Sequence, residues 1–211
     1  MSPDSSENNN YLTLASLGQF YALNIHFDTQ MLMEELSALQ DQWRTYNSSK
    51  HEFKREGLSL FSLNGETDGC IDLNSILEYN TQHGTSYDEL SFSTPTKNWS
   101  ALQSLSKPFQ KIQSQFGRSH LLRFQKGGFF PPHRDLGNAV RLIAFFKCSP
   151  GSLYFTMDNQ LIEFQPGKLY FANTRKKHCI FNFKDGAMIL VINLKASDES
   201  KDFILQNLGE N

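Results

Sequence analysis

The 211-residue sequence predicts a mainly β fold with N-terminal helices (α+β), a jelly-roll or cupin-like double-stranded β-helix, and three observations carry that reading. After Gly117 the chain breaks into short apolar or alternating runs. Gly, Pro, Asn and Asp separate those runs. Before Gly117 the apolar residues recur at helical spacing instead.

In chain order, Met1 to Asn10 is polar and has no basic segment followed by an apolar stretch, so it reads as neither signal peptide nor membrane span and is expected to be disordered. From Thr29 to Tyr46, Met31, Leu32, Leu36, Leu39 and Trp43 recur three and four apart, which predicts an amphipathic helix. A second helix is predicted over Asp72 to Gly84, with Leu73, Ile76, Leu77 and Asn80 on one face and Gly84 as its stop. A third runs from about Asn98 to Phe116, where Pro108 should kink or divide it. Residues 11–117 thus read as a mostly helical buttress.

Strands are predicted over Ser119 to Gln125, Val140 to Lys147, Ser152 to Met157, Gln160 to Phe164, Lys168 to Asn173, His178 to Phe183 and Ala187 to Lys195. The turns are Ser149-Pro150-Gly151, Asp158-Asn159, Gln165-Pro166-Gly167 and Lys184-Asp185-Gly186. Seven short strands in residues 118–197 imply a sandwich or barrel with the helices on its outside, and the whole chain, 1–211, reads as one domain. No internal repeat or low-complexity linker interrupts it.

Composition narrows the function classes. An apolar fraction of 39% and a net charge of −2 describe an ordinary globular chain without the basic surface that general nucleic-acid or membrane binding requires. Cys70, Cys148 and Cys179 are odd in number and contain no C-x-x-C pair, so a disulfide framework is disfavoured and a reducing, cytoplasmic setting is expected. Eighteen phenylalanines must lie mostly in the core or line a pocket.

The chemistry-bearing motif lies in Gly127-Gly128-Phe129-Phe130-Pro131-Pro132-His133-Arg134-Asp135. His133 and Asp135 are two residues apart, a spacing that points both side chains to one side of an extended chain. His178 opens a late strand that a barrel can bring beside an early one. Two imidazoles and a carboxylate on one side of a metal leave positions open, the arrangement of non-haem Fe(II) oxygenases. H-x-D also occurs by chance, and it is the order H-x-D, strands, then His that is specific. His26, His51, His83 and His120 lack a ligand-type neighbour and read as surface or core residues.

Through Leu121 to Gly128, Pro132 to Asp135, Arg141 to Phe146, Pro166 to Tyr170 and Asn173 to His178 the chain resembles the 2-oxoglutarate- and Fe(II)-dependent oxygenases, most closely the aspartyl/asparaginyl β-hydroxylase-like and proline hydroxylase branch. The likeness covers residues 119–195 and is only suggestive in Arg55 to Leu60 and around Tyr79-Asn80. It implies His133, Asp135 and His178 as Fe(II) ligands, with 2-oxoglutarate and O2 as co-substrates. It also implies an arginine about ten positions after the distal His, where this chain has Met188. The candidate cations are therefore Arg141, which matches a co-substrate-contacting arginine of that branch, Lys147, which resembles the barrel lysine of other branches, and Arg123 on the strand entering the H-x-D turn. Strand parity puts Arg141, Ile143, Phe145 and Lys147 on one face.

Phe129, Phe130, Phe145, Phe146 and Tyr154 are the aromatics expected near the mouth. The implied activity is hydroxylation of an amino acid, free or in a peptide, or of a small metabolite. The missing arginine keeps open a cupin-type metalloenzyme that does not use 2-oxoglutarate. A non-catalytic β-barrel ligand-binding module is the other alternative.

Overall fold

The computed structural model describes residues 5–67, 71–135, 137, 139–149 and 151–209; the expectations that touch residues 1–4, 210–211, Cys70 and Pro150 lie outside the described residues to that extent. The strands are β1 (Phe20–His26), β2 (Arg44–Thr45), β3 (Arg55–Ser62), β4 (Thr94–Pro95), β5 (Ser119–Phe124), β6 (Phe129–His133), β7 (Val140–Phe146), β8 (Leu153–Met157), β9 (Gln160–Ile162), β10 (Lys168–Ala172), β11 (His178–Asn182) and β12 (Met188–Leu194). The helices are α1 (Ser5–Ser16), α2 (Thr29–Ser37), α3 (Ile76–His83), α4 (Lys97–Ala101), α5 (Gln103–Ser106) and α6 (Asp198–Gln206).

Two antiparallel sheets face each other. The major one runs β1-β10-β7-β12-β5-β3-β2 with β4 beside β3, and the minor one runs β6-β11-β8-β9. From β5 to β12 consecutive strands alternate between the sheets except at the β8–β9 hairpin, which stays in the minor sheet, and this is the jelly-roll, double-stranded β-helix arrangement. The short β8–β9 turn fits this: Asp158 and Asn159 both take left-handed backbone, φ 47° and 64°, as a tight hairpin requires.

Alternation along the central strands separates two cores. On β7, Val140, Leu142, Ala144 and Phe146 pack with Leu32, Leu36, Leu102 and Leu105 of the helical side. Ile143 and Phe145 point the other way, toward Phe155 and Ile180 of the minor sheet. On β12, Met188, Leu190, Ile192 and Leu194 join the first core, and Ile189 and Val191 the second. The interior between the sheets is therefore walled by one residue in two.

The first half is not mostly helical. β1 and β3 extend the major sheet at opposite ends, β3 pairing with β5 and β1 with β10. β3 is buried on both faces and so lacks the clean alternation of a half-exposed strand, while β1 alternates only from Leu23 to His26 after an unbroken buried run from Tyr21 to Leu23. The helix expected from Thr29 stops at Ser37; the Gln40 side chain caps Leu36 O at 2.8 Å, and the chain then turns into β2. The stretch from Asn98 divides into α4, α5 and a 3-10 turn holding Pro108, ending at Phe109. The helix ending at Gly84 forms as Ile76–His83, with Gly84 left-handed at its C-terminus and Ser75 capping its start.

The expected disorder of residues 1–10 is also corrected, because from Ser5 the chain is helical. Asn10 Nδ2 donates to Ala196 O at 3.2 Å and Tyr11 Oη to Asn173 Oδ1 at 2.7 Å, tying α1 to the chain just after β12 and just after β10. A further strand, β6, forms where the sequence suggested only a turn. Pro131 and Pro132 lack N–H groups, and β6 tolerates them as an edge strand paired only with β11.

Candidate metal centre

His133 ends β6 and His178 begins β11, and the two are directly opposite each other in the antiparallel register. Their rings lie 4.2 Å apart between centroids. Asp135 follows β6, and its backbone N–H donates to Thr174 O at 2.9 Å, which fixes the chain across from the turn into β11. Its carboxylate reaches both imidazoles, Oδ1 at 3.6 Å from His133 Nε2 and Oδ2 at 3.7 Å from His178 Nε2. One donor atom from each residue lies within 4.8 Å of the others, so the structure brings together the three predicted ligands.

Both imidazoles are oriented by main-chain atoms. His133 Nδ1 faces Pro131 O at 2.8 Å and His178 Nδ1 faces Lys176 O at 3.0 Å. A carbonyl can only accept, so Nδ1 carries the hydrogen in each ring and the Nε2 lone pair is left toward Asp135. Burial, the largest influence, pushes His178 down to about 4, keeping it neutral and able to ligate at neutral pH.

Asp135 sits in an ionic cluster. Arg141 Nη1 donates to Asp135 Oδ2, Arg141 Nε to Asn193 Oδ1 at 2.9 Å, and Arg141 Nη2 lies 3.8 Å from Glu89. Arg118 grips Glu89 with two parallel bonds of 2.9 and 3.0 Å. Burial raises the Asp135 pKa, but Arg141 and the two histidines outweigh it and hold the carboxyl at about 2. Asp135 is therefore ionised wherever the protein is folded near neutrality.

His133, Asp135, His178, Arg118 and Arg141 line one cavity of about 80 Å³ between the sheets, several times the ~10–15 Å³ a single water needs. Its polar end has Arg118, His120, Asp135, Arg141 and Thr174; the remainder is Leu122, Ile143, Phe155, Ile180, Ile189 and Val191, with Tyr46 and Phe130 at the side. Of the three predicted co-substrate cations, only Arg141 reaches it. Lys147 is exposed beyond the end of β7, where its φ of 50° breaks the alternation that parity assumed. Arg123 points away from the cavity, bonded to Glu56 at 2.9 Å and lying 4.4 Å over the Trp43 ring. Met188 packs in the helix-side core, so its position faces away from the ligands as well.

Of the five aromatics expected near the mouth, Phe130 and none of the other four lines the cavity. Phe145 packs deeper in the same core and Phe146 in the opposite one. Sequence reasoning missed Arg118, Glu89, His120 and Arg55. His120 shares a parity face with Leu122 and Phe124, a signal that places it inward, and burial, followed by Arg118 and Arg141, pushes its pKa well below the usual value. Glu89 and Arg118 carry no local signal, being partners across 29 residues.

Two facing antiparallel sheets with two imidazoles and a carboxylate converging between them define a cupin-type jelly-roll protein with a candidate mononuclear metal centre. No family model and no curated protein matches the sequence. Among solved structures the chain is similar to a prolyl hydroxylase from Trichoplax adhaerens, solved in complex with a hypoxia inducible factor oxygen degradation domain peptide fragment, at 11% identity and TM-score 0.49, covering 95% of this chain and 96% of that one. It is similar to an oxidoreductase of the 2OG-Fe(II) oxygenase family from Burkholderia pseudomallei at 11% identity and TM-score 0.47, covering 94% of each chain. It is also similar to KdgF from Halomonas sp. at 12% identity and TM-score 0.31, over 39% of this chain and 71% of that one. Among the described residues no helix is long and apolar enough to cross a membrane.

Proposed function

We propose that this chain is a 2-oxoglutarate- and Fe(II)-dependent dioxygenase that hydroxylates an amino acid, free or in a peptide, or a small metabolite, with His133, Asp135 and His178 as the iron ligands. The observation that carries the reading is the convergence of these three donors, both imidazoles presenting Nε2, beside a cavity. The donor set fits the metal: two imidazoles and one ionised carboxylate suit a mononuclear divalent centre with open positions. Bound Fe(II), with 2-oxoglutarate and O2, supplies the oxidation that converts R–H to R–OH while 2-oxoglutarate becomes succinate and CO2.

The chain's own residues then have distinct tasks. Arg141 holds one oxygen of Asp135 and so positions the carboxylate. Asp135 and Glu89 balance Arg118 and Arg141, so a divalent ion adds two net positive charges that a dianionic ligand neutralises. Ile143, Phe155, Ile180 and Ile189 exclude water from the far side of the cavity.

Anaerobic titration of the apo-protein with Fe(II) and then 2-oxoglutarate tests this. A visible metal-to-ligand charge-transfer band is expected in the wild type and lost in His178→Ala. A second reading, a cupin-type metalloenzyme that binds its substrate directly, is favoured by the positions of Lys147, Arg123 and Met188 outside the cavity. It predicts iron binding without the band and no iron-dependent succinate. A non-catalytic module predicts no turnover of any candidate substrate.

A further inference from the structure

Arg55 opens β3 and is 4% exposed, yet its Nε and Nη1 have no hydrogen-bond partner. Its guanidinium carbon lies 3.7 Å from the Phe130 ring centroid, 4.8 Å from Phe53 and 5.2 Å from Tyr46. Contact with aromatic faces offsets part of the desolvation of a cation but satisfies none of its N–H groups. Arg118 and Arg141, comparably enclosed, each hold a carboxylate. Burial pushes Arg55 down to about 10, so it remains charged at neutral pH.

Two of the rings around Arg55, Tyr46 and Phe130, are walls of the candidate metal cavity, and Phe130 stacks against His133 at 5.9 Å. Arg55 pairs with Phe124 and Ser59 pairs with His120, so Arg55 stands four residues along β3 from the polar end, about 13 Å at strand spacing. The walls between are apolar: Leu122, Ile143 and Ile189. A ligand chelated at the triad and extending away from Arg118 and Arg141 therefore approaches a cation whose hydrogen-bond donors are uncommitted.

We infer that Arg55 anchors the far carboxylate of a short dicarboxylate whose other end is chelated at His133, Asp135 and His178, the ligand passing beside Phe130 and Tyr46. This rests on the metal-site reading above. Arg55 thus selects dicarboxylates over monocarboxylates at the same site, through charge-assisted bonds from its planar fork.

The test uses protein loaded anaerobically with Zn(II), its metal content measured directly, and calorimetric titration with 2-oxoglutarate and with 2-oxobutyrate, which lacks the far carboxylate. Wild type should bind 2-oxoglutarate at least about tenfold more tightly. Arg55→Met should keep its zinc and bring the two affinities to within about twofold, and Arg55→Lys should fall between. Arg55→Met conserves much of the length within the aromatic enclosure and removes an uncompensated charge, so the metal-free variant should melt no lower than wild type. Full discrimination retained in Arg55→Met, or no preference in the zinc-loaded wild type, would overturn the assignment with the metal site intact. Failure of wild type to bind zinc would instead overturn the metal-site reading and the inference together, and the metal analysis alone would reveal it.

Discussion

Asp135 is bonded by Arg141 and faces both imidazoles, and removing each of these groups has a separate consequence. Asp135→Ala should abolish metal binding and also destabilise the apo-protein by about 3 kcal/mol, because Arg141 stays buried with its closest carboxylate removed. His133→Ala should abolish metal binding with a much smaller loss of stability, since the side chain is 37% exposed. Chemical denaturation with parallel metal analysis separates the two. His178 and His120 are buried as neutral rings, with pKa values below those of the unfolded chain. The unfolded state then binds more protons as pH falls below about 6.5, so apo-protein stability should decline from there toward about pH 4, with His178 contributing roughly 3 kcal/mol of the loss. A midpoint flat across that window would contradict the burial of these rings.

At this scale the three candidate ligands were legible because a two-residue spacing and a strand-opening histidine are local features. Lys147 was misplaced because alternation ends where its backbone turns left-handed. Arg123 could have been excluded from parity alone, since Leu122 and Phe124 beside it face inward. Arg55 was read only as part of a weak likeness, as its enclosure comes from Tyr46, Phe53 and Phe130 on separate segments.

Among elements, β6 depends most on its lead-in. A Cβ at Gly128 would lie 2.7 Å from Lys54 O and 2.9 Å from Gln125 O, both backbone atoms with little room to move. Gly128→Ala should therefore cost roughly 1–3 kcal/mol and weaken metal binding, because β6 carries His133 and precedes Asp135. Ser75→Ala, which removes the N-cap of α3 accepting from Glu78 N at 3.2 Å, should cost about 1 kcal/mol and leave metal binding unchanged. Thermal melting and metal titration distinguish the two variants. All seven runs after Gly117 became strands because turn residues punctuate them. The strands not anticipated are β3, whose alternation is hidden by burial on both faces, β1, which alternates only over its last four residues, β6 with its two prolines, and the two-residue β2 and β4, too short to carry a pattern.

Across the molecule, the major sheet is a shared wall with the helices on one side and the candidate site on the other. Phe146→Ala and Phe155→Ala remove buried rings from opposite cores, and each should cost about 3–5 kcal/mol. Phe155 lines the cavity, so that variant should also alter ligand affinity, which calorimetry reads and which Phe146→Ala should leave intact. The fold class was readable from strand count and punctuation, whereas the size of the major sheet was not, because its end strands come from the half whose texture resembled helices. The division into two cores has a practical corollary for re-engineering. On β7 and β12 the odd-numbered residues 141, 143, 145, 189, 191 and 193 belong to the interior, and the even-numbered ones from 140 to 146 and 188 to 194 to the helical side. A mutational library restricted to positions 143, 189 and 191 would thus vary the chamber wall while leaving the helix-side core untouched.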